Sequence, residues 1–256
     1  MAKYKIGSTD GGDAGIDLSW ESKIDMVDGA VLITKQITPE FIKAVLRYKE
    51  KLIVHATITG FGGSILEPNV PHWDTQIKAL YNLVNSGFPK QRIVIRVDPI
   101  IPTSKGCLTA EETIEHGMAY GFSRYRVSMI DMYPHVRDRF IEAGLPIPYD
   151  GKFSPGRKEI EAVNNMLGTV KSFWRNGGGS LDELRIEACA EPGLTEAKQC
   201  GCISSYDIEL IGLEADTPAD GVGYQRKHCM CYAGKVELLT TKRQCPHKCL
   251  YCFWRS

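Results

Sequence analysis

The sequence lacks the features of a membrane protein, a fibrous protein or a disordered tail. No uncharged apolar run approaches the roughly 18 residues that a transmembrane helix needs, and no repeat or low-complexity linker interrupts the chain. Net charge is also absent, because 31 Lys and Arg balance 31 Asp and Glu; no overall field therefore attracts the molecule to nucleic acid or to a membrane. The first residues contain no apolar segment of the kind found in signal peptides. We therefore expect a cytoplasmic protein with no membrane partner.

Cysteine, by contrast, is abundant, and eight of the nine cysteines follow residue 188. A reducing cytoplasm disfavours a disulfide framework, and an odd number of cysteines fits one poorly. Metal or iron–sulfur chemistry is the better explanation for so many thiols in one part of the chain. The cysteines are Cys107, Cys189, Cys200, Cys202, Cys229, Cys231, Cys245, Cys249 and Cys252.

Short β-branched runs alternate with longer amphipathic segments along the whole chain. The candidate strands are Tyr4–Gly7, Ala30–Thr34, Leu52–Ile58, Arg92–Val97, Tyr125–Met129, Leu184–Ala188 and Val236–Thr240. The candidate helices are a segment that begins at Thr38-Pro39, then His72–Ser86, Thr109–Tyr120, His135–Ala143 and Gly156–Trp174. This alternation predicts an α/β fold with a parallel sheet, either a full or partial (βα)-barrel or an open doubly wound sheet. We expect a single barrel domain over residues 1–256, in which residues 189–256 form a cysteine-rich C-terminal region.

Charged side chains follow the predicted strands at the points where the strands end. Because the carboxyl ends of parallel strands meet at one face of the sheet, we expect these side chains to surround a functional site there. We call this opening at the carboxyl ends of the strands the mouth. A single one of them would be an ordinary loop residue or helix cap, whereas the whole set indicates a site. The candidate catalytic residues are Lys35, Glu67, Arg96, Asp98 and Asp131.

The last predicted strand leads into three cysteines at CxxxCxxC spacing, Cys245, Cys249 and Cys252. Thiolates at this spacing can reach one metal centre from a single loop. Iron–sulfur clusters are normally held by four thiolates, so three local ligands would leave one iron open for chemistry. The alternative is a structural zinc site, with His247 or a remote cysteine as the fourth ligand.

The cysteine spacing, together with the aromatic Tyr251 directly before Cys252, resembles the signature of the radical S-adenosylmethionine (SAM) superfamily. The resemblance implies that Cys245, Cys249 and Cys252 bind a 4Fe-4S cluster and that SAM chelates its fourth iron. Reductive cleavage of SAM then gives a 5′-deoxyadenosyl radical that abstracts hydrogen from the substrate. It also implies a full or partial βα-barrel and an electron donor such as flavodoxin or ferredoxin.

The order of the elements departs from that superfamily, in which the cysteine loop typically follows the first strand. In a barrel, a loop after the last strand can still reach the same mouth, and the first strand would then stand beside it. The implied SAM-binding residues are Gly11, Gly12, Lys242, Arg243 and Tyr251. The charged residues at the mouth would hold the carboxylate, amino group or ribose hydroxyls of SAM, or a phosphate of the substrate. Tyr251, Phe253 and Trp254 would stack on adenine or on a substrate base.

Stretches along nearly the whole chain resemble a group of bacterial and phage proteins known as domain of unknown function 1848. They are Thr34-Lys35, Thr57–Gly62, Glu67–Pro71, Arg96–Ile100, Cys189–Glu191, Cys202-Ile203, Gln225-Arg226 with Cys229 and Cys231, and Cys245–Trp254. That group resembles spore photoproduct lyase, which implies an isomerase or lyase acting on a modified thymine-type base in DNA or in a nucleotide. A phage-encoded protein of this kind would work in the host cytoplasm. At the first loop the chain has Ser8-Thr9-Asp10 where the group usually has Arg-Arg-Thr-Asp, and this difference counts against a shared substrate.

The same resemblance singles out a second set of cysteines, Cys189, Cys202, Cys229 and Cys231. Four thiolates suffice for a second iron–sulfur cluster or for a structural zinc ion. Alternatively, they are buried small apolar residues. Two other functions stay open: a zinc-stabilised barrel hydrolase that uses Glu67, Asp98 and Asp131 as acid and base, and a non-catalytic iron–sulfur or zinc binding module.

Overall fold

Eight parallel strands form one curled sheet in the computed structural model, which describes residues 3–150, 153–214, 229–232 and 234–255. The strands are β1 (Ile6–Ser8), β2 (Gly29–Thr34), β3 (Leu52–Thr57), β4 (Ile93–Ile100), β5 (Arg124–Met129), β6 (Arg185–Cys189), β7 (Lys198–Cys200) and β8 (Lys235–Glu237). Their spatial order is β7-β6-β5-β4-β3-β2-β1-β8. The sheet is thus a half-barrel with β7 and β8 at its two edges, which agrees with the predicted partial barrel.

Helices connect most of the successive strands. They are α1 (Pro39–Arg47), α2 (Trp73–Asn85), α3 (Ser104–Ala119), α4 (Pro134–Glu142), α5 (Arg157–Asn176) and α6 (Ser205–Leu210). The predicted start of α1 is confirmed, because the Thr38 side chain accepts a hydrogen bond from the Phe41 N–H at 3.0 Å and Pro39 opens the first turn. Among the described residues, no helix is both long enough and apolar enough to span a membrane.

The two faces of the sheet follow the period-two alternation of the strands. Outward-facing side chains such as Val54 and Ile95 belong to the main core beneath the helices. Ile53 and Val94 face the concave side and form a second cluster with Ile208 of α6. Helix α6 therefore fills the inside of the half-barrel and leaves the carboxyl ends of the strands for a site.

All seven predicted strands are present, but the structure corrects the C-terminal part of the prediction. The last strand ends at Glu237 and not at Thr240, because the chain then turns over the loop after β1, where the Lys242 N–H donates to the Gly11 carbonyl at 2.7 Å. Strand β7 and helix α6 were not predicted, since three and six residues are too few to show a periodic pattern. Helix α3 begins at Ser104 and not at Thr109, because Thr103 caps it.

Candidate functional site

The cysteine loop, residues 245–252, follows β8 at the carboxyl edge of the sheet. Strand β8 pairs in parallel with β1, which confirms that the first strand stands beside the strand leading into the loop. The Leu250 N–H donates to the Leu66 carbonyl at 2.9 Å, and the Asn69 side-chain amide donates to the Pro246 carbonyl at 2.7 Å. The loop therefore lies against the connection that follows β3, next to the mouth.

Arg139 of α4 holds the far end of this loop by its backbone. Its guanidinium donates to the Leu250 carbonyl at 2.8 Å, to the Cys252 carbonyl at 2.6 Å and to the Arg255 carbonyl. The sequence gives no sign of this role, because the contacts join residues more than 110 positions apart. Arg139 fixes the path of the chain through the third cysteine.

His247, inside the loop, forms a buried hydrogen bond with Asp13. Its Nε2 lies 2.8 Å from Asp13 Oδ2 and its Nδ1 lies 3.2 Å from the Asn69 carbonyl oxygen. Both partners are acceptors, so this geometry is satisfied when both ring nitrogens carry hydrogen. Burial would raise the pKa of Asp13, but the contacts with His247 and Thr34 lower it on balance. No ring nitrogen of His247 is left for a metal, which removes the histidine from the zinc alternative.

The three thiols of the loop are within electrostatic range of one another. Cys249 is buried, whereas Cys245 and Cys252 are half-buried. Burial raises the pKa of Cys249 to about 12; the charge of Lys35 opposes this rise, and those of Glu67 and of the other two thiols add to it. In the part of the chain that the structure describes, no hydrogen bond joins any two of these sulfurs. The three thiols thus lie in one region, although no set of three or more His, Cys, Asp or Glu side chains in the described ranges, these cysteines included, forms a ready metal cage.

Lys35, Glu67 and Tyr251 form a compact polar group beside Cys249. Lys35 Nζ lies 2.6 Å from Glu67 Oε1 and donates to the Tyr251 hydroxyl at 2.8 Å, and that hydroxyl donates to Glu67. Burial alone would lower the pKa of Lys35, but the charges of Glu67 and Cys249 raise it on balance. The structure therefore brings two predicted catalytic residues and one predicted SAM-binding residue to the cysteine loop.

Arg96 and Asp98 form a second ion pair at the same mouth. The Arg96 guanidinium donates to one carboxylate oxygen of Asp98, and the Ser128 hydroxyl donates to the other. Burial would raise the pKa of Asp98, but the charge of Arg96 lowers it. The pair is within electrostatic range of Lys35 and of Cys202, so it lies between the two predicted cysteine sets. Arg96 Nε is buried without a hydrogen-bond partner among the described residues.

Three other predicted site residues are Asp131, Lys242 and Arg243. Asp131 accepts a hydrogen bond from Ser154 at 2.9 Å in the segment before α5. Lys242 is half-buried and within electrostatic range of Cys245, whereas Arg243 is exposed. The structure thus places Lys242 near the cysteine loop and does not join Asp131 to the group around Lys35.

Gly11 and Gly12 are explained by close packing of the loop after β1 against the chain after β8. A Cβ atom at Gly11 would lie 2.1 Å from the Leu239 carbonyl oxygen, and one at Gly12 would lie 2.7 Å from the Leu239 side chain. Such contacts force the backbone to move. These glycines therefore allow the loop after β1 to lie beside the cysteine loop, whether or not they also bind SAM.

Replacing Gly11 by Ala is expected to lower the free energy of unfolding by about 1–3 kcal/mol through overpacking. Gly168→Ala is the matched control, because it lies inside α5 with nothing within 4 Å of the added Cβ; it should stabilise by about 0.5–1 kcal/mol. Urea unfolding measures both. Equal stability of Gly11→Ala and the wild type would show that the contact with Leu239 is not tight.

The second cysteine group, Cys189, Cys202, Cys229 and Cys231, brings at least three of its thiols together. Cys189 Sγ lies 3.4 Å from Cys202 Sγ, and the Cys202 N–H donates to Cys231 Sγ at 3.1 Å. Side-chain hydrogen bonds also join Cys231 to both other thiols, and Cys229 is within electrostatic range of Cys231. No set of three or more His, Cys, Asp or Glu side chains in the described ranges forms a ready metal cage. Gln225 and Arg226 lie outside the described residues.

Two residues next to cysteines have a left-handed backbone without being glycine. Lys248, directly before Cys249, has φ 52°, and Ala190, directly after Cys189, has φ 56°. This conformation costs about 1–2 kcal/mol for a residue with a Cβ, and such strain is found mostly at functional sites.

Comparison with known proteins gives a family but no activity. A family model described as "Domain of unknown function (DUF1848)" matches residues 18–254. No curated protein matches the chain. One solved structure, the catalytic domain of a mannanase from Streptomyces sp. SirexAA-E, is 11% identical over 84% of this chain and 73% of that chain, with a TM-score of 0.33. At this level the similarity indicates nothing about a shared reaction.

Proposed function

The chain belongs to the family described as domain of unknown function (DUF1848), and we propose that it is a radical SAM enzyme. The observation that carries the proposal is the position of the CxxxCxxC loop at the carboxyl edge of a parallel half-barrel, where Cys249 interacts with Lys35 and Glu67 of the polar group that also contains Tyr251. When bound to these thiols, a 4Fe-4S cluster with SAM would supply the 5′-deoxyadenosyl radical that abstracts hydrogen from the substrate.

The charged residues of the mouth suit the polar parts of SAM. Lys35 uses two of its three N–H donors on Glu67 and Tyr251, so one remains for a carboxylate. Arg96 has a buried Nε with no partner among the described residues, and a guanidinium matches a carboxylate or phosphate in a planar geometry. We propose that Lys35 and Arg96 bind carboxylate or phosphate, whereas Glu67 and Asp98 keep these cations in place.

The test is 5′-deoxyadenosine formation by anaerobically reconstituted protein with SAM and dithionite. Product that requires both SAM and reductant would support the proposal. A fully loaded cluster that gives no product would contradict it. Protein that is colourless and contains only zinc would favour the hydrolase, with Glu67 and Asp98 as its acid and base.

We further propose that the substrate is a thymine-type base, in DNA or in a nucleotide, and that the reaction is an isomerisation or a lyase reaction. An exposed aromatic patch beside the cysteine loop supports this proposal; it consists of Tyr133, Phe153, Phe253 and Trp254. Tyr133 and Phe253 stack with ring centroids 5.1 Å apart, and Phe253 and Trp254 lie 4.6 Å apart. Phe253 and Trp254 are 44% and 42% exposed, and exposed rings can stack on unpaired bases.

Trp254→Ala is expected to weaken binding of a thymine-containing single-stranded oligonucleotide about tenfold, because stacking on one base contributes about 1–3 kcal/mol. Phe173→Ala is the matched control, since Phe173 is 45% exposed near the end of α5 and should leave binding unchanged. Fluorescence anisotropy with a labelled oligonucleotide measures both. Equal affinity of Trp254→Ala and the wild type would remove the patch from substrate binding.

A further inference from the structure

The spacing of the sulfurs differs between the two cysteine sets. In the second cysteine group, Cys189 Sγ and Cys202 Sγ are 3.4 Å apart and both are hydrogen-bonded to Cys231. In the cysteine loop, no hydrogen bond joins two thiols of the described chain. Two sulfurs of the second cysteine group are thus in direct contact.

These spacings fit different metal groups. Four thiolates at about 2.3 Å from one tetrahedral zinc ion lie about 3.8 Å from each other. In a 4Fe-4S cluster each thiolate binds a different iron, so the sulfurs cannot be in contact. The contact between Cys189 and Cys202 is a few tenths of an ångström shorter than in a zinc site, as expected when thiol hydrogen bonds replace bonds to an ion.

We infer that Cys189, Cys202 and Cys231 bind one zinc ion, with Cys229 as the fourth ligand, and do not bind a second iron–sulfur cluster. Cys229 is separated from Cys231 by one residue and is half-buried beside it. Cys229 is also within electrostatic range of Cys231 and, as the remaining thiol of the group, would complete a tetrahedral site of four sulfurs.

The surroundings of the second cysteine group suit four thiolates on a divalent ion, which together carry two negative charges. Arg96 and Arg126 are within electrostatic range of Cys202, and Lys235 is within range of Cys202 and Cys231. Arg126 also donates to the Cys202 carbonyl at 2.9 Å. The Cys202 N–H bond to Cys231 Sγ is of the kind that supports a metal-bound thiolate from the next layer of residues.

The position of the second cysteine group indicates a structural role for the zinc ion. Cys202 follows β7 and Cys231 precedes β8, and these two strands are the opposite edges of the half-barrel. The Tyr232 N–H also donates to the Ile203 carbonyl at 3.2 Å. A zinc ion here would join the two edges of the sheet and fix β8, the strand that leads into the cysteine loop.

The test is metal analysis of a variant without the loop thiols, in which Cys245, Cys249 and Cys252 are all replaced by Ser. We expect it to retain one zinc ion per chain, without iron or sulfide, and to show a shell of sulfur ligands at about 2.3 Å in zinc X-ray absorption. Cys202→Ser in the same background should lose the zinc. Cys200→Ser is the matched control, because Cys200 is buried nearby outside the group and its replacement should keep the zinc.

Iron with sulfide in the triple variant, or a folded triple variant without metal, would overturn the inference. Circular dichroism establishes folding independently of metal content. Cys229→Ser in the same background tests the fourth ligand; like Cys202→Ser it leaves three thiolates, and we expect zinc affinity to fall at least tenfold. Unchanged affinity would exclude Cys229 as the fourth ligand. None of these measurements depends on SAM, so failure of the proposed radical chemistry would leave their result unaffected.

Discussion

Cys249→Ala protein is expected to form no 5′-deoxyadenosine above the protein-free control when it is incubated with SAM and dithionite. Cys249 is the middle ligand of the loop, and its thiol is the one that interacts with Lys35 and Glu67. Its loss leaves two thiolates, which is one fewer than the proposed cluster needs in order to keep a single iron open. Product is measured by mass spectrometry after anaerobic reconstitution, with iron and sulfide determined on the same samples.

The matched control is Cys107→Ala, which removes a half-buried thiol on α3 outside both cysteine sets. It should form product at the wild-type rate. Cys249→Ser keeps the size of the side chain and should also be inactive, which separates loss of a ligand from loss of packing. Product formation by Cys249→Ala at the wild-type rate would contradict the assignment of this thiol to the cluster.

The sequence was sufficient for the order of the elements and for the position of the loop. Strands such as β2 and β3 are buried along their whole length, so they appear as continuous apolar runs. The carboxyl-edge rule for parallel sheets then correctly brought Lys35, Glu67, Arg96 and Asp98 to one mouth. The rule gives the edge of the sheet but not the direction in which a loop carries its side chain, so it did not predict the contact of Asp131 with Ser154.

The contacts that hold the loop could not be predicted from spacing. Asp13 and His247 are 234 positions apart, and Arg139 reaches carbonyl groups and not side chains. No sequence pattern specifies a backbone acceptor. His247 is a second example of a role that spacing cannot predict. Its position between two cysteines suggests a zinc ligand, but in the structure its ring contacts Asp13 and Asn69.

Asp207 lies on α6, the helix that fills the inside of the half-barrel. Replacing it by Ala (Asp207→Ala) is expected to lower the free energy of unfolding by about 3–5 kcal/mol. The carboxylate is 1% exposed, lies 2.6 Å from Arg124 and 3.6 Å from Arg126, and accepts a hydrogen bond from the Ser204 hydroxyl at 2.8 Å. Its removal would leave two buried guanidinium groups without this counter-charge. Glu161→Ala is the control, because its ion pair with Arg157 is exposed and should contribute less than about 0.5 kcal/mol.

The pH dependence of this loss of stability tests whether the charge of Asp207 causes it. Burial would raise the pKa of Asp207, but the charges of Arg126 and Arg124 lower it below the usual range. A carboxylate whose pKa is lowered by folding stabilises the protein above its unfolded pKa of about 3.9 and loses this contribution as pH falls through the lower folded value. The stability difference between the wild type and Asp207→Asn should therefore be full at neutral pH and shrink in acid. Urea unfolding at a series of pH values measures it, and a difference that stays constant into acid would attribute the role of Asp207 to shape and hydrogen bonding alone.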